Sequence, residues 1–513
     1  MGPSTGKPRS RAWLWIVAVV LVMGICCCAV IGGGLLYLRS NGQTLQGLLS
    51  DSPQSPWSTE AALPDGPAVT VEAQPVEIPT PTPQTASPPS SVNNQLLVAV
   101  SNGVWLVNRE DGSLLQVSYD TLENYGAAQI GMSPDKQYFA YISGFGGASI
   151  NPALMIVNLQ DQSIKLRQEL TGPLSQPGII PEICEPAFEA TRAMQFDGSL
   201  AWSPDGQTLA FVGALDGETA DVYLFNRADD SITRLSDEPG HATGLHWSPD
   251  GSWIEYLSVD CFGTGAGFAM NGLWAAEPQS GQTRLLEPLQ SSGEEFVGWS
   301  DNSTIIILSW GAGCEAYNLR AVNVLAASQQ VLVTSCFSAI AFNPASGEGL
   351  LSVSEFNAEF CSCGEPLKPG LYRFGANLPL SKLNDLEAYQ IEFIGGANLY
   401  YVLVGGSPQN LFQEDGLAIN SPLEVQGLKP YPSPTGEYWA WASSGGGKTG
   451  LWVTKENTSP ISLSPLFSGD PVWSTDGQTL YFIENNKINK ASAPQFRVEL
   501  LAEISGDIWS LIQ

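Results

Sequence analysis

The chain has 513 residues and a net charge of −29, with 51 acidic against 22 basic side chains. So acidic a surface repels phosphate backbones and excludes nucleic acid as a natural partner. It suits cations, cationic ligands or basic proteins, and it keeps a large domain outside the cytoplasm soluble. Length alone suggests about three domains, a rule of thumb that internal repeats override.

Residues 1–11 hold Lys7, Arg9 and Arg11, and residues 12–38 follow without a single charge. About 20 apolar residues span a bilayer, so this segment is long enough to cross one. No A-x-A-like cleavage site follows it, and Ile25, not a small residue, precedes Cys26. It therefore reads as an uncleaved signal anchor. Three basic residues before the span and only Arg39 after it place the N-terminus in the cytoplasm and everything beyond Leu38 outside. Residues 39–92 form a linker: between 41 and 92 there are ten prolines and no Lys or Arg. Such a stretch cannot bury a core and predicts a disordered, partly extended spacer.

The remaining residues, 93–513, read as one all-β domain. A phrase recurs in which an aromatic or apolar residue is followed by Ser-Pro-Asp-Gly or a decayed copy. It is intact at Trp202–Gly206 and Trp247–Gly251, and looser at Met132, Trp299, Phe342, Pro432 and Trp473. Pro fixes φ, Asp caps its own turn and Gly accepts positive φ, so a strand ends before each copy and another begins after it. The following runs are continuously apolar, as at Thr208–Val212 and Thr304–Leu308, which suits strands covered on both faces. A third strand, a turn and a fourth strand come next, for example Val222–Asp230.

Four strands (a to d) recurring at a period of about 40–50 residues are the signature of propeller blades. Residues 95–118 supply strands b, c and d without an a, and the terminal run Asp507–Gln513 looks like a lone strand a. The C-terminal strand is therefore expected to complete the first blade and close the ring, removing exposed edges. Nine candidate strands a can be marked. Propellers typically have about four to eight blades, so eight are expected within a range of seven to nine, with the copy near Phe393 and the terminal strand the suspected miscounts.

The Trp-Ser-Pro-Asp-Gly repeats resemble those of TolB-type propellers, the WD-like blades found also beside the catalytic domain of prolyl oligopeptidases. The resemblance covers residues 93–513 through the turn phrase. It implies the fold and little about chemistry, because these residues shape turns.

In such a blade the a–b and c–d turns share one face, and here they are short. The b–c and d–a loops share the other face and are long at 171–196, 260–272, 310–317 and 355–370. Function usually collects in loops of this kind. They carry the acidic and aromatic residues taken as a candidate binding face: Glu182, Glu185, Asp260, Phe262, Phe268, Glu315, Tyr317, Glu355, Glu359 and Phe360. All six cysteines beyond the anchor, Cys184, Cys261, Cys314, Cys336, Cys361 and Cys363, fall there too. An even count outside the cytoplasm predicts loop-stapling disulfides rather than a metal site. Cys314 and Cys336 leave the same blade and are the first pair to consider.

Catalysis has little to draw on. His241 and His246 are the only histidines, both at the entry to one blade, and no G-x-S-x-G elbow occurs. No cofactor is expected. The leading reading is a membrane-anchored extracytoplasmic module, non-catalytic, binding a protein or a small cationic ligand. The alternative is an extracytoplasmic hydrolase or lyase using carboxylates of the long-loop face.

Overall fold

The turn phrase decides where each strand stops. In the copy at Trp202 the Ser203 hydroxyl donates to Asp205 Oδ1 (2.6 Å) and accepts the Thr208 amide (3.0 Å). Asp205 Oδ1 also accepts the Gln207 amide (3.0 Å). Ser133, Ser248 and Ser474 repeat this hydroxyl bridge. Gly206 closes the turn at φ 68°, and in the decayed copy Lys136 stands in the same place at φ 57°. A side chain in the left-handed region costs about 1 kcal/mol, partly offset by the lower entropy of a non-glycine unfolded chain. Lys136→Gly is therefore expected to raise the unfolding free energy by up to about 1 kcal/mol, seen as a higher urea midpoint; a lower midpoint would refute the strain.

The computed structural model describes residues 94–118, 130–144, 152–161, 163–172, 184–196, 198–262, 269–288, 293–310, 316–356, 367–394, 399–404, 407–413, 418–419, 428–443, 450–455 and 458–512. The apolar segment 12–38 and the linker 39–92 lie outside them. Among the described residues no helix is long and apolar enough to cross a membrane.

Among the described residues the strands form nine four-stranded antiparallel sheets. Blade one combines Gln95–Val100, Gly103–Asn108 and Leu114–Ser118 with the terminal strand Ile508–Ile512. Val98 pairs with Leu511 in that sheet, so the last strand completes the first blade as expected. Blades two to nine then run in chain order over residues 130–169, 200–234, 241–288, 293–335, 339–384, 390–419, 429–464 and 467–503. The expected count of eight is thus corrected to nine. Both suspected miscounts are real strands: Gln390–Phe393 opens a complete blade seven, and Ile508–Ile512 belongs to blade one. The near-Phe393 copy lacks the turn phrase, which is why its standing could not be read from sequence.

Neighbouring blades pack face to face, so strands b and c lose water on both sides. Thr304–Trp310 is buried at every position except its two ends, and Phe139, Phe211, Phe225 and Phe482 are fully buried. Each such side chain contributes about 2–3 kcal/mol of transfer free energy. The outer strands alternate, as in Ser163–Glu169, which is mostly exposed.

The motif tryptophan does more than end a strand. Trp202 Nε1 donates to Gly131 O (3.1 Å), Trp247 to Ala201 O (2.9 Å), Trp299 to His246 O (3.2 Å) and Trp473 to Tyr431 O (2.9 Å). Every acceptor immediately precedes the corresponding motif residue of the blade before, so the indole ties one innermost strand to the next. Trp247→Phe keeps most of the apolar contact and removes the bond. It is expected to cost about 1–2 kcal/mol in denaturant unfolding; an unchanged midpoint would show that water replaces the indole at no cost. The short-turn face is tied further by Arg227, which pairs with Asp135 of the preceding blade (2.8 Å) and lies 4.1 Å above the Tyr138 ring.

Candidate functional site

The long-loop face is organised around one connection. Between blades two and three the chain forms helix α1 (Pro186–Gln195), an α-helical insertion that the strand-based reading did not anticipate. Pro at its first turn pre-sets the helical φ. Its buried side is Ala187, Glu189, Ala190, Thr191, Ala193 and Met194. A disulfide, Cys184–Cys261, joins the residue two before α1 to the end of strand b in blade four, across a sequence separation of 77.

A charged clamp sits beside the bridge. Glu189 is 1% exposed. Its Oε2 accepts the Phe262 amide (2.8 Å), while Arg192 Nη2 donates to Phe262 O (3.0 Å) and Arg192 Nη1 lies 3.4 Å from Glu189 Oε1. The backbone of Phe262 is therefore held at both its N–H and its C=O by one helix. Its ring stacks on Phe196 with centroids 4.6 Å apart. Two loops far apart in sequence become one rigid unit.

The expected site residues separate accordingly. Phe262 is 1% exposed, part of the buried core. Glu185 is the half-buried residue preceding α1. Asp260 is exposed and accepts from Asn271. Tyr317 is half-buried against Phe337 (5.0 Å) and edge-on to Trp310 (6.4 Å). Glu355 is exposed, its amide donating to Glu387 Oε2 (2.9 Å), and the neighbouring Phe356 is 67% exposed. Glu182, Phe268, Glu315, Glu359 and Phe360 lie outside the described residues, as do Cys314, Cys361 and Cys363. Cys336 is disulfide-bonded, with a partner outside them.

The same face holds a polar group that sequence reading missed. Arg234 on strand d of blade three pairs with Asp221 on strand c (2.7 Å), with Asp216 (3.5 Å) and with Asp237. Burial pushes the Asp221 carboxyl up to about 7 against the pull of Arg234. Thirteen residues separate Asp221 from Arg234, and only the strand register brings them together. Nearby His241 accepts the Ala220 amide at Nδ1 (3.1 Å), and burial lowers its pKa to about 4. It is a neutral hydrogen-bond acceptor fixed in the blade. Among the described residues no three His, Cys, Asp or Glu side chains converge in an arrangement that would hold a metal ion.

Fold and face together define a closed, disulfide-stapled propeller with its elaborated loops on one side. No protein-family model matches the chain. Over 53 residues it is 40% identical to the uncharacterized peptidase YuxL of Bacillus subtilis (strain 168), a match covering 10% of this chain and 8% of that one. The chain thus matches about 8% of that relative's length. In three dimensions it is similar to the crystal structure of a eukaryotic initiation factor, with a TM-score of 0.51, 12% identity, and 81% of this chain and 97% of that one covered. TolB from Acinetobacter baumannii superposes with a TM-score of 0.26 at 11% identity, over 72% and 81% of the two chains. The likeness to the initiation factor shows the propeller fold and nothing about activity.

Proposed function

We propose that the chain is a membrane-anchored, extracytoplasmic propeller whose long-loop face is a non-catalytic docking platform for a protein or a cationic ligand. The carrying observation is the rigid unit built by Cys184–Cys261 and the Glu189–Arg192–Phe262 clamp. Loops held this way lose little further entropy on binding. A disulfide persists outside reducing compartments, which agrees with the uncharged segment 12–38 acting as an anchor. The opposite face is occupied by ties between blades, such as Arg227–Asp135.

The test uses the full chain in its own envelope, with a photo-crosslinking phenylalanine analogue at Phe356 or, as a control, at Leu500 on the outer strand of blade nine (54% exposed). One discrete adduct from Phe356 and none from Leu500 is the expected result. Equal adducts from both, or none from either, would overturn the docking-face reading. Labelling of intact cells with a membrane-impermeant lysine reagent checks the topology; protection of the propeller lysines until lysis would refute it.

A hydrolase or lyase remains the second reading because one observation favours it: an Asp221 carboxyl pushed to about 7 beside a cation can exchange a proton near neutrality. On that reading Asp221→Asn removes turnover of a substrate and leaves its binding intact.

A further inference from the structure

His246 ties blade four to blade five along their innermost strands. It stands near the end of His241–Trp247, just past a bulge, where the ladder shifts register between Thr243 and His246 with Gly244 at φ 68°. Bulges of this kind re-aim side chains. The imidazole stacks on Phe296 of blade five, with ring centroids 3.8 Å apart and planes 12° from parallel. Its backbone carbonyl accepts the Trp299 indole of the same blade (3.2 Å). The side chain is 36% exposed, so water reaches it.

Behind the imidazole is a sealed carboxyl. Glu255, opposite His246 in the ladder, is 0% exposed. Its Oε2 is 3.0 Å from His246 Nδ1, and its Oε1 has no hydrogen-bond partner. The other charged groups of the two blades along this seam are engaged elsewhere. His241 begins the same strand and bonds to Ala220 of blade three. Strand c of blade four sets Ala275 opposite Glu255 and ends in Glu277, which accepts from Ser280. On strand d, Arg284 donates to the carbonyls of Val324 and Leu325. Arg320 of blade five is shared by Glu287, Glu294 and Gln329. The exposed Glu295 alternates to the other face of its strand, and Thr304–Trp310 has no ionisable side chain. Among the described residues no ion pair but the one with His246 reaches Glu255.

A carboxylate cut off from water needs a counter-charge or a proton, and a neutral imidazole is neither. Burial raises the Glu255 carboxyl against the pull of His246. We infer that Glu255 and His246 hold one extra proton between them at neutral pH, and that losing it loosens blade four from blade five along their innermost strands. The seam is then a pH-operated joint in the ring, and the exposed imidazole is the route by which the proton enters and leaves. With the proton on, the pair is neutral overall, as acid and imidazole or as carboxylate and imidazolium. With it off, a full negative charge is left buried, near enough to Glu294 to raise that carboxyl too. The sign follows from the raised carboxyl: the folded state binds the proton more tightly, so the closed seam is favoured at low pH and lost as pH rises.

The experiment is hydrogen exchange on the full-length protein in detergent at pH 6 and pH 9, each amide's rate divided by its unfolded-chain rate at the same pH. His241–Trp247 and Gly293–Trp299 are expected to open roughly tenfold more often at pH 9, with Thr479–Glu484 of blade nine unchanged. Glu255→Gln should abolish that rise. So should Glu255→Leu, which needs no polar partner and serves where the amide is not accepted. Glu294→Gln should leave a rise, which separates this proton from the one on Glu294. Glu437→Gln, an exposed acid of blade eight, should change nothing. Circular dichroism of each variant establishes that it is folded. Equal opening at the two pH values in the wild type, equal acceleration in blade nine, a rise that survives the Glu255 variants, or one that Glu294→Gln or Glu437→Gln abolishes would each overturn the assignment.

Discussion

Replacing Arg320 by Met is expected to destabilise the protein by about 3–5 kcal/mol at pH 8. Arg320 lies between blades four and five with its side chain 8% exposed. It pairs with Glu287 and with Glu294, whose side chain is 2% exposed. It also donates to Gln329 Oε1 (2.6 Å). Removing it leaves a carboxylate in a place where water cannot follow, and Glu294 Oε2 already has no hydrogen-bond partner. Burial pushes the Glu294 carboxyl up to about 7 even with Arg320 present.

The sign of the pH dependence follows. A carboxyl whose folded pKa is raised binds its proton more tightly in the folded state than in the unfolded one. Its contribution to stability is most favourable below the unfolded value and declines as pH rises through about 7. The penalty of Arg320→Met should therefore be largest at pH 8 and smaller at pH 5.5, where Glu294 is protonated. Adding Glu294→Gln should recover much of the loss. Chemical denaturation at the two pH values measures this; a penalty independent of pH would show that Arg320 acts by packing and not by charge.

The second large effect concerns the bridge. The double variant Cys184→Ser, Cys261→Ser is expected to lose about 2–4 kcal/mol, since a cross-link over 77 residues removes substantial loop entropy from the unfolded chain. Both sulfurs leave together, so neither is left behind as the unpaired half of this bridge. The loss should be felt first at helix α1, whose remaining ties to blade four are the Glu189–Arg192–Phe262 clamp and its buried apolar side. Hydrogen exchange should show faster opening of Pro186–Gln195 with the strands of blades eight and nine unchanged. Uniform acceleration across all blades would mean that the bridge stabilises the ring as a whole.

Much of the architecture was legible because its signals are local. Pro, Asp and Gly at fixed places in the turn phrase locate the strand ends, and continuous apolar runs mark strands covered on both faces. Ring closure was legible from a missing first strand at one end and a spare one at the other. The blade count was off by one because blade seven has no turn phrase, so its strands carry no punctuation that a reader can count. Of the candidate face, Asp260 and Tyr317 stand at the ends of strands that the loop bounds had not included, and Glu355 follows the strand Glu348–Val353. Phe262 looks the same in sequence and proves to be packed inside.

By itself the sequence determined the all-β class, the repeat and the closure, since each depends on residue type and spacing along the chain. The tertiary structure decided the rest: that Cys184 meets Cys261, that α1 clamps Phe262, that the tryptophans at 202, 247, 299 and 473 bond to the preceding blade, and that Lys429 pairs with Glu392 and Asp470. These are contacts between residues from 37 to 77 positions apart or on different blades. They depend on the register of strands and the stacking of blades, and no local preference encodes either.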